Sequence, residues 1–296
     1  MLVVAVASMV GMVVDRRVIT GAPAWLKPLK FAISTAVYSL TLAWIFGWLS
    51  DWPRLRRVVG WTTAIVFVLE VAVIDAQAWR GTTSHFNVST PLDAMLFSIM
   101  GVAILVQTLV SVAVAVALWR QPFTDRSLGW ALRLGMTLTI VGALTGPLMT
   151  RPTAAQLTLA RAGGRMTTIG AHTVGDVDGG PGVPMTMWSR EHGDLRVPHF
   201  IGLHAVQALA LVAVGVRRRR RPEDVRVRAV LLAAVSYASL FVLLLWEALR
   251  GRSVVAPDAM AVASIAIWAV VTALAVAWIG LGSRGASRDN LDGMAA

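Results

Sequence analysis

The sequence predicts an all-α polytopic membrane protein with eight transmembrane helices, built as two tandem, pseudo-symmetric halves of four helices each. Of its 296 residues, 56% are hydrophobic and 15% are charged, whereas a soluble protein carries about 25% charged residues. Apolar runs of roughly 20 residues recur along the chain, and each can cross a hydrocarbon core about 30 Å thick. Short motifs also recur between the two halves of the chain.

Each predicted span is an apolar run bounded by charged or turn-forming residues. Asp15, Arg16 and Arg17 cut the first run short, so we expect this span to be tilted or incomplete. The other runs keep their apolar character over most of a membrane crossing. The eight spans are 2–19, 29–50, 59–79, 92–119, 128–150, 199–216, 227–249 and 259–282.

Three motifs of the first half return in the same order in the second half, at nearly one offset. The pairs are "LKPLKFAISTA" (26–36) with "LRVPHFIGLHA" (195–205), "QAWRG" (77–81) with "EALRG" (247–251), and "TPLDAM" (90–95) with "APDAM" (256–260). We therefore predict a first half over residues 1–126 and a second half over residues 127–296. Because four spans is an even number, both halves have the same orientation, which is typical of a parallel repeat.

Basic residues concentrate in the short loops on one face, most densely in the run from Arg217 to Arg221. The positive-inside rule then predicts a bacterial-type plasma (inner) membrane protein with both termini in the cytoplasm. The net charge of +11 is explained by this orientation, so we expect the lipid bilayer as a partner and no nucleic acid. All five histidines and the long loop of residues 150–198 fall on the outer side. The loop is rich in Gly and Pro but carries Trp188, which favours an ordered cap over a flexible tether.

Two histidines lie where the long loop enters the sixth span. Five residues of a regular helix turn by about 500°, so His199 and His204 cannot both bind one metal from an unbroken helix. His204 is the candidate axial ligand of a heme or metal. His199 and Arg196 would lie at the rim, where propionates or an anionic substrate can be held. The alternative is a pair of interfacial histidines, each hydrogen-bonded to a neighbour.

Glu70 lies in the middle of the third span. A carboxylate at membrane depth is costly unless it is protonated or paired, so Glu70 is a candidate functional group or a neutral hydrogen-bonding one. Gln77 with Arg80, and Glu247 with Arg250, are three residues apart, a spacing that allows intrahelical pairs. Their recurrence in both halves favours a structural clamp, with anion binding by the arginines as the alternative.

The absence of cysteine excludes disulfides, thiolate metal sites and a covalently attached c-type heme. Histidines and carboxylates remain as metal ligands for zinc, copper or iron. Candidate ligands are His172 and His192 of the long loop, with His85 of the preceding outer loop. Their spacing matches no compact metal motif.

Several of these motifs resemble the heme A synthase family, which has eight spans in two tandem four-helix halves. "QAWRG" and "EALRG" are similar to its Gln-Ala-Leu-x-Gly pattern, "LTGPLMTRP" to its Thr-Gly-x-x-x-x-Arg segment, and "IGLHA" to the histidine-bearing start of its sixth span. The resemblance implies a heme b in the second half, bound by His204 or His199 with Met260 opposite. Lys30 and Thr35 stand where that family has a ligand histidine in the first half, and the fourth and eighth spans lack theirs. Heme A synthesis is therefore not implied.

Three functions follow from these residues. The leading hypothesis is a heme- or metal-binding membrane redox protein, an oxidoreductase with its site near the outer face. Its ligands are His204 and His199, Arg196 and Arg250 neutralise anionic groups, and Glu70 handles protons. The second is a transporter or receptor for a small anionic or lipidic ligand bound between the two halves under the long loop. The third is a non-catalytic membrane scaffold. Whether the protein is an enzyme stays open, and its candidate catalytic residues are Glu70, Arg250 and Glu247. Homo-oligomerisation also stays open.

Overall fold

A computed structural model describes residues 1–219 and 221–292, with side chains up to residue 280. Residue 220 of the predicted arginine run and residues 293–296 of the predicted second half lie outside the described residues. The helices are α1 Leu2–Val14, α2 Leu26–Phe46, α3 Pro53–Trp79, α4 Pro91–Arg120, α5 Arg126–Ala143, α6 Gly146–Met149, α7 Ala154–Arg161, α8 Arg196–Leu203, α9 Ala205–Arg218, α10 Glu223–Leu249 and α11 Ala259–Asp292. Two short antiparallel hairpins pair β1 (Val18–Ile19) with β2 (Ala22–Pro23), and β3 (Thr173–Val174) with β4 (Gly193–Asp194).

The predicted class of helical, multi-pass membrane protein is confirmed. Within the described residues, six helical segments are long and apolar enough to cross a membrane, and a seventh is added if the bent pair α8–α9 forms one span. Large apolar side chains such as Leu40, Trp61 and Leu109 are exposed on the outside of the bundle. These side chains are placed to contact lipid, since no hydrophobic penalty acts on apolar groups in a bilayer.

The first predicted span differs from the structure. Its helix, α1, has 13 residues and ends at Val14, whereas a crossing needs about 20 residues. The helix ends there because Asp15 turns out of it and binds Arg17 at 2.6 Å and the Trp25 indole N–H at 2.8 Å. The sixth predicted span, 199–216, is also irregular, because α8 and α9 meet at a 45° bend centred on His204.

α5 lies at the centre of the bundle and packs against α4, α8, α9 and α10. Glycines allow its backbone to approach the next helices closely. A Cβ atom on Gly142 would lie 2.4 Å from the Gly202 backbone, and one on Gly135 would lie 2.7 Å from the Cα of Val206. The main apolar core surrounds this contact and includes Ile45, Leu118, Leu132, Met136 and Leu209. α1 and α11 are peripheral and pack mainly on α2 and α10 respectively.

The long loop is largely structured, and we call residues 150–195 the cap loop. It contains α7 and the β3–β4 hairpin, and single β-bridges join Asn87 to Thr168 and Gly182 to Ser189. α7 was not predicted, because its eight residues lack an apolar stripe; a Thr153–Gln156 capping box begins it. The cap loop therefore covers the ends of the helices as an ordered layer.

Candidate functional site

A cavity of about 1060 Å³ lies under the cap loop, and we call it the cap cavity. The first turns of α2 contribute Lys27, Lys30 and Phe31 to its wall, and α3 contributes Ile74 and Ala78. The remaining wall comes from residues 19–24, residues 82–86 and much of the cap loop. The volume is at the upper end of the range typical of small-molecule sites, which is about 300–1,000 Å³.

Two lysines lie next to each other in the wall of the cap cavity. Lys27 and Lys30 are three residues apart, so they lie on one face of α2, and both are half-buried. Lys30 Nζ donates to the carbonyl of Thr186 at 3.0 Å, and Lys27 Nζ lies 5.9 Å from the Phe31 ring centre. Neither lysine forms an ion pair with a carboxylate among the residues that the structure describes. Asp176, Asp178 and Glu191 also line the cavity, but within the described residues none of them lies close enough to either lysine to form an ion pair.

Arg196, another cation of the cavity wall, is neutralised. Its Nε donates to Asp194 Oδ1 at 2.9 Å, and its Nη2 donates to Asp194 Oδ2 and to the carbonyl of Met187, each at 2.5 Å. The Asp194 side chain is only 2% exposed, and it also accepts the backbone N–H of Ser189 at 2.8 Å. Arg196 thus fastens the cap loop to the start of α8.

Three histidines, the predicted metal ligands His85, His172 and His192, all line the cap cavity. Each has a different partner. His172 Nδ1 lies 2.7 Å from Asp178 Oδ2, His192 Nε2 lies 3.3 Å from Asp176 Oδ2, and His85 Nδ1 lies 3.1 Å from the Ser84 hydroxyl. Within the described part of the chain, no three histidines or carboxylates lie close enough to hold a metal ion together. The metal site stays a prediction.

Several ionisable groups of the cavity wall have shifted pKa values, among them His85 and Asp178. Burial, followed by the charge of Lys27, lowers the pKa of His85 well below its usual range, so the ring is neutral. Burial alone would raise the pKa of Asp178, but hydrogen bonds from His172 and Thr173 hold it well below the ordinary value. Asp178 is therefore an anion whose carboxylate is hydrogen-bonded to residues of the cap loop itself.

The residues predicted to bind heme are not assembled in this cavity, with the exception of Arg196. His199 Nδ1 lies 3.0 Å from the Gly142 carbonyl and 2.9 Å from the Thr145 hydroxyl. His204 forms the bend between α8 and α9, and its ring centre lies 4.4 Å from that of Phe200. Met260 is 54% exposed on the peripheral helix α11. None of these three lines the cap cavity.

No family model, curated protein or solved structure matches this chain. The function must therefore be argued from the residues and their geometry.

The predicted clamps are present at the ends of α3 and α10. Arg80 Nη1 donates to Asp93 Oδ1 at 2.8 Å and to Gln77 Oε1 at 2.5 Å. Arg250 binds Glu247 at 3.0 Å and Asp258 at 2.8 Å. Each arginine joins the end of one long helix to the start of the next. Glu247 and Arg250, predicted as catalytic residues, thus have structural partners, and neither lines the cap cavity.

Glu70, the remaining predicted catalytic residue, is buried below the cap cavity. It is 2% exposed, and neither carboxyl oxygen has a hydrogen-bond partner among the described residues. Ile74 and Ala78 follow it on the same side of α3, one and two turns further on, and both line the cavity. Glu70 therefore lies one helical turn below the cavity wall.

Lys27 was not singled out from the sequence, although a signal existed. The chain has 27 basic residues, and only Lys27 and Lys30 are lysines. Both belong to the motif "LKPLK" (26–30), which corresponds to "LRVPH" (195–199) in the second half. The two lysines of the chain are three residues apart, a spacing that places both on one face of a helix.

Proposed function

We propose that this protein binds a small anionic molecule, or the anionic headgroup of a lipid, in the cap cavity, as a transporter or receptor. The observation that supports this function is the pair Lys27 and Lys30, which share a half-buried wall without a carboxylate partner. Withdrawing a charge from water costs several kcal/mol unless an opposite charge compensates it. A bound anion would provide that compensation for both lysines at once.

The choice of lysine agrees with this function. All the other basic residues of the chain are arginines, which bind carboxylates as planar forks. Lysine instead presents a compact point charge on a flexible stem, and it binds phosphate-like groups in this way. Apolar side chains share the wall, which suits a ligand with an apolar part; they include Phe31, Ile74, Leu148, Leu159 and Leu249.

We also propose that the chain forms eight spans in two halves, residues 1–126 and 127–296, with both termini in the cytoplasm. Corresponding features support this arrangement. A β-hairpin precedes α2 and another precedes α8, and the Arg80–Asp93 clamp has its counterpart in Arg250–Asp258. The cap cavity would then open toward the outer face of the membrane.

A first experiment uses two probes, sulfate for a soluble anion and nanodiscs of phosphatidylglycerol for a lipid headgroup, with phosphatidylcholine as the neutral reference. A ligand that binds only the folded state at 100 times its Kd stabilises the protein by about 2.7 kcal/mol. We expect one probe to raise the Tm of the wild type, and Lys27→Gln and Lys30→Gln to remove the increase. Arg161→Gln, which deletes an exposed cap-loop cation outside the cavity wall, is the matched control.

Amine labelling gives an independent readout. Because Lys27 and Lys30 are the only lysines, acetic anhydride can modify side-chain amines at these two positions alone, and mass spectrometry locates the product. The bound probe should protect both lysines. If neither probe stabilises the protein or protects the lysines, the anion-binding function is wrong and the scaffold function gains support.

A membrane redox protein with heme b or a transition metal is the second proposal, supported by His199. Its Nδ1 faces the carbonyl oxygen of Gly142 at 3.0 Å. A carbonyl accepts but cannot donate, so the proton belongs on Nδ1 and the Nε2 lone pair is free for a metal. The test is a visible absorption spectrum of the purified protein before and after dithionite, repeated with His199→Ala and His204→Ala. A flat spectrum with no metal by elemental analysis would exclude this function.

A further inference from the structure

Glu70 is the buried carboxyl group that the proposed anion site does not use. Both of its oxygens are enclosed and lack a partner in the described part of the chain. An ionised carboxylate in such a place costs several kcal/mol, and protonation removes most of that cost. Glu70 also lies one turn below Ile74, a residue of the cavity wall.

The charges around Glu70 connect it to the anion site. Lys27 is the charged group that acts on Glu70 through space, and α2, which carries Lys27, packs against α3. Lys30 and Tyr38 are the other ionisable residues of α2, and the Tyr38 ring centre lies 5.5 Å from that of Phe67. α4 also packs against α3, and it has no ionisable residue between Asp93, which Arg80 neutralises, and Arg120.

Further polar atoms continue below Glu70 in the same part of the bundle. Among the described residues the Thr63 hydroxyl, seven residues before Glu70 on α3, is buried without a partner. Gln107 on α4 is buried near the Tyr38 hydroxyl. The Tyr38 hydroxyl and Ser111 bind each other at 2.9 Å between α2 and α4. Unpaired buried polar atoms are rare in proteins, and within a membrane they mark proton and ion paths.

We propose that Glu70 is a proton-binding site coupled to anion binding in the cap cavity. With its proton, Glu70 no longer offsets the charge of Lys27, on which Asp178 then acts only from beyond ion-pair distance, and the anion binds more tightly. Without it, the carboxylate competes with the anion for Lys27. Thermodynamic linkage makes the effect reciprocal, so a bound anion promotes proton uptake by Glu70. The coupling rests on the proposed function, whereas the proton site itself does not.

The experiment has two arms on the full-length protein in nanodiscs. Infrared difference spectra between low and high pH should contain the carbonyl band of a protonated carboxylic acid. Glu70→Gln should remove this band. Asp75→Asn on the same helix is the comparison variant, because Asp75 Oδ1 is also buried without a partner among the described residues. Asp75 points about 140° away from Glu70, so this variant should retain the Glu70 band. Lys27→Gln should retain the band. If Glu70→Gln leaves the difference spectrum unchanged, Glu70 takes up no proton and the proposal is overturned.

The second arm measures sulfate binding as a function of pH, because sulfate keeps its charge across the physiological range. The wild type should bind more tightly as pH falls. Glu70→Gln, which resembles the protonated acid in shape and charge, should bind at the low-pH strength at every pH. An unchanged pH dependence in Glu70→Gln would overturn the coupling. If the wild type binds neither sulfate nor phosphatidylglycerol, the anion site and the coupling are overturned together, while the infrared band still decides the proton site.

Discussion

Arg80 binds Asp93 at 2.8 Å between α3 and α4, and Arg250 binds Asp258 at the same distance between α10 and α11. Positions that match in the sequence repeat thus form matching contacts. Their surroundings differ, because the Asp93 side chain is 3% exposed and that of Asp258 is 28% exposed. Asp93 also accepts hydrogen bonds from Gln77 and Thr90.

The two aspartates should differ in their contribution to stability. Asp93→Asn leaves several buried donors without a full partner and should cost roughly 3 kcal/mol. Asp258→Asn, at the more exposed clamp, should cost much less. Thermal unfolding of both variants in the same detergent measures the difference. Equal losses of Tm would show that burial does not distinguish the two clamps.

Gly142→Ala should destabilise the bundle strongly. The added methyl group would lie 2.4 Å from the Gly202 backbone, so α5 and α8 must separate, at a cost of about 1–3 kcal/mol. Gly101→Ala on α4 is the matched control, because its methyl group meets no atom within 4 Å and alanine favours the helix. A neutral Gly142→Ala would mean that the two helices are not in backbone contact.

Lys30→Met should loosen the cap loop around Thr186. The substitution removes the hydrogen bond from Lys30 Nζ to the Thr186 carbonyl, so the backbone amides of residues 182–189 should exchange with deuterium several-fold faster. Lys27→Met removes the same charge but no bond to the loop, and it serves as the control. Similar exchange in both variants would assign the effect to charge alone.

The cap loop should also loosen in acid. Hydrogen bonds hold the pKa of Asp178 well below its ordinary value of 3.8 despite burial, so its ionised form stabilises the loop. This contribution is complete above that value and is lost as pH falls below it. Proteolysis of the loop should therefore rise in that window, and Asp178→Asn should show the rise already at neutral pH. Asp176→Asn, at a more exposed carboxylate, should behave like the wild type.

The proposed orientation can be tested with single cysteines, since the chain has none. Arg161→Cys in the cap loop and Arg54→Cys at the start of α3 are both exposed. A membrane-impermeant maleimide should label Arg161→Cys in intact cells, and Arg54→Cys only after permeabilisation. The reverse pattern would invert the orientation and place the cap cavity toward the cytoplasm.

Much of the fold could be predicted because a membrane span leaves a strong compositional signal. The third predicted span, 59–79, ends where α3 ends, at Trp79. The helix begins six residues earlier than predicted, at Pro53. Its first two turns contain arginines, and hydropathy detects only the apolar part of a helix. The bend at His204 was also missed. It depends on the Gly142–Gly202 approach, a tertiary contact that no local pattern encodes.

The candidate site was predicted only in part. His85, His172, His192 and Arg196 do meet around one cavity, because they all belong to loops or helix ends on one face. A prediction of which histidines bind a metal or heme needs the distances between their rings. Sequence spacing does not give these distances for residues that are 80 or more positions apart. Glu70 was noticed because a carboxylate is conspicuous in an apolar run. Its position below the cavity depends on how α2 and α3 pack.

The neighbouring carbonyls of Thr186 and Met187 are held by cations on two different helices, Lys30 of α2 and Arg196 of α8. Consecutive Cα atoms are about 3.8 Å apart, so a single peptide unit of the cap loop links the ends of these two helices. α2 and α8 can move apart only as far as two side chains stretch. An anion that draws Lys30 into the cavity would break its hydrogen bond to the Thr186 carbonyl. The hydrogen bond from Arg196 to the Met187 carbonyl would remain.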